Sequence, residues 1–233
     1  MSQRINSLVD ESIIRKTPLF SGLDAEASSM LLASMSHCKI KKGQTLFKEG
    51  DIGDALYIIS NGKVKLGIKA SDGRENLLMI LGPGDMFGEL SLFDSGPRTA
   101  SAIAVTDSKV LALSQEKVFP WLRENPDISL QLLMRLATRL RRSNEVLGDL
   151  VFSDVPGRIA KALIDLGVKF GEKTAEGLLV RHDLTQEELA QLVGASRETV
   201  NKALADFCHR GWIRLNGRTV IILDYQRLLK RSR

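Results

Sequence analysis

The sequence contains only two cysteines, Cys38 and Cys208. They lie far apart, which excludes a disulfide framework and the close spacing of a zinc or cluster site; a cytosolic chain keeps them reduced. Three histidines, His37, His182 and His209, are scattered through the chain and suggest no metal or haem ligation. Apolar runs are short, Leu77 to Leu81 being typical. All fall well below the ~20 residues of a membrane-spanning helix. The N-terminal stretch MSQRINSLVDESIIRK is charged throughout and has no signal-peptide apolar region. There is no internal repeat and no low-complexity tract. These absences argue against a secreted scaffold, a metalloprotein and a membrane protein, and the expected location is the cytoplasm.

What is present suits a globular protein with one or two domains: 233 residues, 43% hydrophobic and 26% charged. The charge is unevenly placed. Residues 155–233 carry 14 Lys+Arg against 9 Asp+Glu, whereas residues 1–154 carry 19 of each. The net charge of +5 therefore lies in the last third. A neutral front and a basic back point to a polyanion meeting the C-terminal part.

Residues 1–16 read as a helical arm and TPLFSGLD (17–24) as a turn-rich entry. Residues 24–36 carry Met30, Leu31, Leu32 and Met35 at helical spacing. From Lys39 to about Leu113, short Val/Ile/Leu/Tyr-rich runs are punctuated by glycine, the pattern of an antiparallel barrel or roll with no βαβ unit. Asn61-Gly62 and Asp72-Gly73 predict two-residue hairpins, because both dipeptides accept positive φ. Ser114 is placed to cap a short helix that Pro120 should kink or shorten.

Residues 127–152, DISLQLLMRLATRLRRSNEVLGDLVF, predict a long helix, about 38 Å for about 25 residues. Leu133, Leu136, Leu140, Leu147 and Leu150 fall on the a and d places of a heptad frame, with Ser143 and Asn144 as a polar break. The apolar seam is too narrow for a globular core face, so the helix is expected to pair with its own copy in a homodimer; an ordinary core helix is the alternative. Phe152 to Pro156 end it.

From Gly157 the order is helix, turn, helix, helix, hairpin. Ile159, Leu163, Leu166 and Phe170 share one face of the first. Thr185 and Glu188 make a capping box, Gly194 is a C-terminal stop, Ser196 caps a second helix, and Gly211 ends it. Helix, glycine turn, helix is the helix-turn-helix signature. WIRLNGRTVIIL predicts a hairpin around Asn216-Gly217, placed as a wing.

Two stretches could carry chemistry. In FGELSLFDSGPRTA (87–100), Gly88 permits close backbone approach beside a short helix start. Arg98 offers a planar fork of donors to a phosphate, and Thr99 adds a hydroxyl. Glu89 would repel phosphate and suits ribose hydroxyls instead. The set fits a nucleotide with a single phosphate; a turn with an exposed salt bridge is the alternative. No histidine or carboxylate pair accompanies these residues, which argues against hydrolysis of a phosphoester. In the helix from Ser196, the residues Arg197, Glu198, Asn201 and Lys202 occupy the end that reaches base edges in a major groove. A polar solvated face is the alternative there.

GDALYIISNGKVKL (53–66) with FGELSLFDSGPRTA (87–100) resembles the cyclic nucleotide-binding domain. LTQEELAQLVGASRETVNKAL (184–204) is similar to the DNA-binding helices of the cyclic AMP receptor protein and fumarate-nitrate regulator family, with DGRENLL (72–78) and DVPGR (154–158) closest to its actinobacterial branch. The resemblance runs from about Pro18 to Leu223. It implies an α+β chain: an N-terminal antiparallel β-roll with an N-terminal helix (1–125), a long dimerisation helix (126–153) and a C-terminal winged helix-turn-helix (154–233).

It further implies that Gly88, Glu89 and Leu90 start a phosphate-binding cassette, with Glu89 on the ribose 2′-hydroxyl and Arg98 and Thr99 on the cyclic phosphate. Arg139 would lie near the base, Ser143 would contact adenine, and Asn144 would reach the nucleotide held by the other subunit. DNA would be met by Thr185, Gln186, Ser196, Arg197, Glu198, Thr199, Asn201 and Lys202. Lys202 stands where the family's third reader is arginine, and Gln186 replaces a basic phosphate contact. The oxygen-sensing branch's cysteine cluster is absent. The implied function is a non-enzymatic homodimeric regulator, activator or repressor, switched by cyclic AMP without a metal. It would bind double-stranded DNA at a TGTGA-like palindrome and meet RNA polymerase there. The alternative is the same DNA binder with another effector or none.

Overall fold

The structure is a computed structural model that describes residues 12–14, 17, 20, 23, 25–71 and 73–232. Most of the expected N-terminal arm, parts of the turn-rich entry and Asp72 lie outside the described residues. The chain divides into two compact units: Met1–Lys69 with Leu78–Leu140, and Ala70–Leu77 with Arg141–Arg233.

In the first unit, α1 (Ala25–Ser34) precedes β1 (Ser36–Ile40), β2 (Thr45–Phe47), β3 (Ala55–Asn61), β4 (Val64–Lys69), β5 (Glu75–Leu81) and β6 (Met86–Phe87). Then come α2 (Leu90–Phe93), β7 (Ser101–Ala104), β8 (Ser108–Ser114) and α3 (Gln115–Glu124). Two four-stranded sheets form in the orders β1-β8-β3-β6 and β2-β7-β4-β5. Side chains alternate between two cores. Ile59, Val64, Leu66, Phe87, Ala102 and Val110 fill the space between the sheets. Leu56, Ile58, Leu111 and Leu113 point the other way, toward Leu31, Val118, Ile128 and Leu132. Strands β3 and β8 are covered on both faces, which is why ALYIIS and KVLALS read as nearly continuous apolar runs.

The expected hairpin at Asn61-Gly62 is not one. β3 pairs with β6 and β8, while β4 pairs with β7. The turn is a corner between sheets. Gly62 has φ +87°, and a Cβ there would press on the Asp107 carbonyl at 2.6 Å, so a side chain is barred twice. At the other dipeptide, β4 and β5 are neighbours and Gly73 also has φ +87°.

Helix α1 buries Leu31 but leaves Met30 exposed, so only part of its expected apolar face is used. Helix α3 runs unbroken through Pro120. Proline removes one backbone bond, and burial of Val118 with Trp121 and Leu122 against the core offsets that loss. Ser114 occupies the cap position, yet its side chain makes no capping bond.

The long helix α4 spans Pro126–Phe152, with proline at its first position, where no donor is missed. Ile128 and Leu132 are buried. Of the five seam leucines, Leu133, Leu140, Leu147 and Leu150 are exposed, the first three by 63%, 64% and 61%, whereas Leu136 is half-buried against the core.

The second unit is built on α5 (Val155–Phe170), followed by β9 (Gly171–Thr174), β10 (Gly177–Arg181), α6 (Gln186–Val193), α7 (Arg197–His209), β11 (Ile213–Asn216), β12 (Thr219–Ile222) and α8 (Tyr225–Arg231). Helix α5 begins two residues before the expected Gly157, because Asp154 caps it by accepting the Gly157 amide and Pro156 fits in its first turn. Ile159, Leu163 and Leu166 are buried as expected, whereas Phe170 is only half-buried. β11 and β12 form the expected hairpin, with Gly217 at φ +59°. The sheet has four strands, β11-β12-β10-β9. The β9–β10 hairpin was not expected from the sequence; its turn, Ala175-Glu176, carries no Asn-Gly or Asp-Gly signal.

Candidate functional site

The loop before α2 and the turn after it bring Gly88, Glu89 and Arg98 together. Gly88 has φ +78°, and a Cβ there would stand 2.8 Å from Arg98 Nη1. Asp94 Oδ1 accepts the Gly96 amide at 2.9 Å and tightens the DSGP turn that returns Arg98 to the cassette.

Arg98 is 3% exposed, so the sequence-level alternative of an exposed salt bridge does not hold. Nη1 donates to the Gly88 carbonyl at 2.6 Å and to Ser91 Oγ at 3.0 Å, and Nη2 donates to the Ala55 carbonyl at 2.8 Å. The guanidinium lies over the ring of Phe47 at 4.3 Å and near that of Tyr57 at 5.5 Å. Such faces favour a weakly hydrated planar cation. Asp54 Oδ1 stands 3.8 Å from Nη2 at the solvent side. Burial raises the Tyr57 phenol above its ordinary value, against the lowering effect of Arg98.

Glu89 is 2% exposed and pairs through Oε1 with Arg139 Nη1 from α4. Arg139 Nη2 also reaches Met79 Sδ at 3.9 Å. Within this cassette two buried polar atoms have no hydrogen-bond partner among the described residues: Arg98 Nε, a donor, and Glu89 Oε2, an acceptor. Leu90 is half-buried and Thr99 is exposed. Ser143 and Asn144 are exposed on α4, in the half assigned to the second unit. Sequence reading missed Phe47, Tyr57, Ser91 and Gly53. Their only signals are an aromatic-bearing strand and the glycine of the GD dipeptide.

The second candidate is α6 and α7. Thr185 Oγ1 accepts the Glu188 amide at 3.1 Å while Glu188 accepts the Thr185 amide at 2.7 Å, a complete capping box. Gly194 closes α6 at φ +62°, ψ +48°. Ser196 caps α7 by accepting the Thr199 amide at 3.2 Å. Val200, Ala203, Leu204 and Phe207 bury one stripe of α7. That leaves Arg197, Glu198, Thr199 and Lys202 exposed beside Ser196, with Gln186 exposed on α6. Lys202 pairs with Glu198 at 3.0 Å. Asn201 is half-buried, and its Oδ1 has no partner among the described residues. Arg158 ties the region together: Nη1 donates to Ser153 O, Nε to Val193 O and Nη2 to Gly194 O, at 2.7, 2.8 and 3.3 Å. Among the described residues no cluster of His, Cys, Asp or Glu could hold a metal, and no helix is long and apolar enough to cross a membrane.

A β-roll that buries Arg98 and Glu89, each with an unpartnered atom, and a capped helix pair with a hairpin wing define a chain of two modules of unlike build. Residues 37–125 match the cyclic nucleotide-binding domain, and residues 157–231 match the Crp-like helix-turn-helix domain. The CRP-like cAMP-activated global transcriptional regulator of Mycobacterium tuberculosis is 53% identical over 223 residues, 96% of this chain and 100% of that protein. The solved Thermus thermophilus catabolite activator protein is 37% identical, covering 92% of this chain and 98% of its own, with TM-score 0.54. The c-di-GMP responsive global regulator CLP of Xanthomonas campestris is 27% identical, covering 85% of this chain and 98% of its own, with TM-score 0.73. The chain belongs to the Crp family of transcription regulators.

Proposed function

We propose that the chain is a homodimeric, sequence-specific DNA-binding regulator, not an enzyme, and that cyclic AMP in the β-roll sets its affinity for a TGTGA-like palindrome. The observation that carries this reading is the pair of buried, unsatisfied atoms in one cassette. Leaving such atoms unpaired costs about 1–3 kcal/mol each, more where charge is involved. Arg98 Nε needs an acceptor and Glu89 Oε2 needs a donor. A cyclic phosphate and a ribose 2′-hydroxyl supply one of each from a single ligand. The name of the mycobacterial relative, a cAMP-activated regulator, supports the same choice.

The dimer is supported by the exposed leucine seam of α4. With the seam paired, Ser143 and Asn144 would face the partner helix and the base, with Asn144 reaching the other subunit's nucleotide. The ligand would act by population shift, favouring a state with recognition helices about 34 Å apart, one turn of DNA. Arg197, Glu198 and Lys202 would then read base edges, with Thr185, Gln186, Ser196 and Thr199 toward the phosphates. RNA polymerase is the expected partner of the DNA-bound form.

The Xanthomonas relative is a c-di-GMP responsive regulator, so a different nucleotide is the second reading. Fluorescence anisotropy of a labelled palindrome decides between them. The protein is titrated with cyclic AMP, cyclic GMP or c-di-GMP at fixed salt. Cyclic AMP should tighten binding at the lowest concentration. A response to c-di-GMP alone supports the second reading, and binding unchanged by every nucleotide overturns both.

A further inference from the structure

We propose that Ser91 and Gly53 are positioning residues for the ligand's phosphate, acting through Arg98; this rests on the cyclic-nucleotide reading of the cassette. An arginine on a flexible stem loses much of its affinity for an anion in being fixed. Here the fixing is built in. The outer edge of the guanidinium is held by three acceptors: the Gly88 carbonyl, the Ala55 carbonyl and the Ser91 hydroxyl. Two are backbone atoms that no substitution removes. Ser91 is the one side chain of the three, 4% exposed, and its Oγ also lies 3.4 Å from the Gly88 carbonyl.

Gly53 explains how that hydroxyl fits. A Cβ on Gly53 would overlap Ser91 Oγ and Cβ outright and would stand 3.2 Å from Arg98 Cζ. Gly53 does not have positive φ, so its backbone does not demand glycine. The demand is the room that Ser91 and Arg98 occupy. With both Nη1 hydrogens and one of Nη2 taken, the buried Nε and the second Nη2 hydrogen, which faces Asp54 Oδ1 at 3.8 Å, are the donors left for the ligand.

Two measurements on the full chain test this. In calorimetry with cyclic AMP, Ser91→Ala should weaken binding about tenfold, as loss of one charge-assisted bond does. In an Arg98→Lys background the same substitution should change affinity by less than about twofold, because residues acting through one another are not additive. Gly53→Ala should lower the thermal midpoint. Gly53→Ala with Ser91→Gly should restore the midpoint but keep the weakened binding. Unchanged affinity in Ser91→Ala, or the same tenfold loss in both backgrounds, overturns the proposal.

Nitrogen-15 spectra of the arginine side chains give a readout without ligand. The Arg98 Nη1 and Nη2 signals, assigned by their loss in Arg98→Lys, should be distinct in the parent protein and should exchange faster in Ser91→Ala, where only the two carbonyl anchors remain. Merged signals in the parent overturn the grip itself. Distinct signals in a parent that binds no cyclic nucleotide overturn the nucleotide reading while leaving the grip intact.

Discussion

Arg98 and Arg197 carry the same group in opposite settings. Arg98 is buried, flanked by rings, and bonded to two carbonyls and a hydroxyl. Arg197 is exposed at the start of α7. A buried cation is costly unless its partners are fixed, so the first setting is rigid and offers little freedom to different ligands. An exposed cation keeps its hydration and rotamers until a partner arrives, so the second is adaptable, and each contact is worth less. Glu89 and Glu198 repeat the contrast. The first is buried against Arg139 with an unsatisfied oxygen. The second pairs with Lys202 in solvent.

The sharpest way to break this comparison is Arg98→Ala. It removes the proposed phosphate donor and leaves the Gly88 and Ala55 carbonyls and Ser91 without theirs. Cyclic AMP affinity should fall by at least about 100-fold, the scale of a desolvated charge-assisted contact. The nucleotide response of DNA binding should vanish while circular dichroism shows the fold retained. Calorimetry returning the parent affinity would remove Arg98 from the site.

A smaller effect is expected on the exposed side. Arg197→Ala should cost about 1–3 kcal/mol in binding the palindrome and relax preference at one base pair. Lys202→Ala should do less, because an exposed i,i+4 pair contributes only ~0.3–0.5 kcal/mol and its loss frees Glu198. A competition series over mutated half-sites measures both. Equal discrimination by the parent and Arg197→Ala would mean that α7 does not read bases through this residue.

The same contrast governs what could be read from the chain before its structure. The capping box, the Gly194 stop and the Ser196 cap were legible because each is a contract between residues at most a few positions apart. The roll and the winged helix pair were legible from strand spacing and glycine punctuation. The interior of the cassette was not. Arg98 reaches Ala55 across 43 positions, and Phe47 and Tyr57 flank it from two different sheets. Nothing periodic marks such contacts. Asn61-Gly62 misled because positive φ serves a corner between sheets as well as a hairpin. The β9–β10 hairpin escaped notice because Gly177, at φ +148°, lies after its turn and is required by the approach of the Ile222 carbonyl.

The smallest effect concerns a carboxylate that lies in neither site. Asp154 caps α5, accepting the Gly157 amide at 3.0 Å and the Arg231 Nη2 donor at 2.5 Å. The Arg231 bond is the largest cause holding its carboxyl below the ordinary aspartate value, with burial opposing and the Gly157 amide adding to it. A depressed folded-state value means that the charged form stabilises the fold. That contribution is fully present above the unfolded value near ~3.9 and is lost as pH falls through the folded value beneath it. The side chain is 62% exposed, so solvent screening keeps the charge's share to about 0–1 kcal/mol. Asp154→Asn isolates that share, because asparagine is as good a cap as aspartate but carries no charge. The variant should melt slightly below the parent from neutral pH down to about pH 5, and the gap should close below about pH 4. A gap that stays constant through the acid range would assign the difference to the cap's shape, and Arg231 would contribute nothing by its charge.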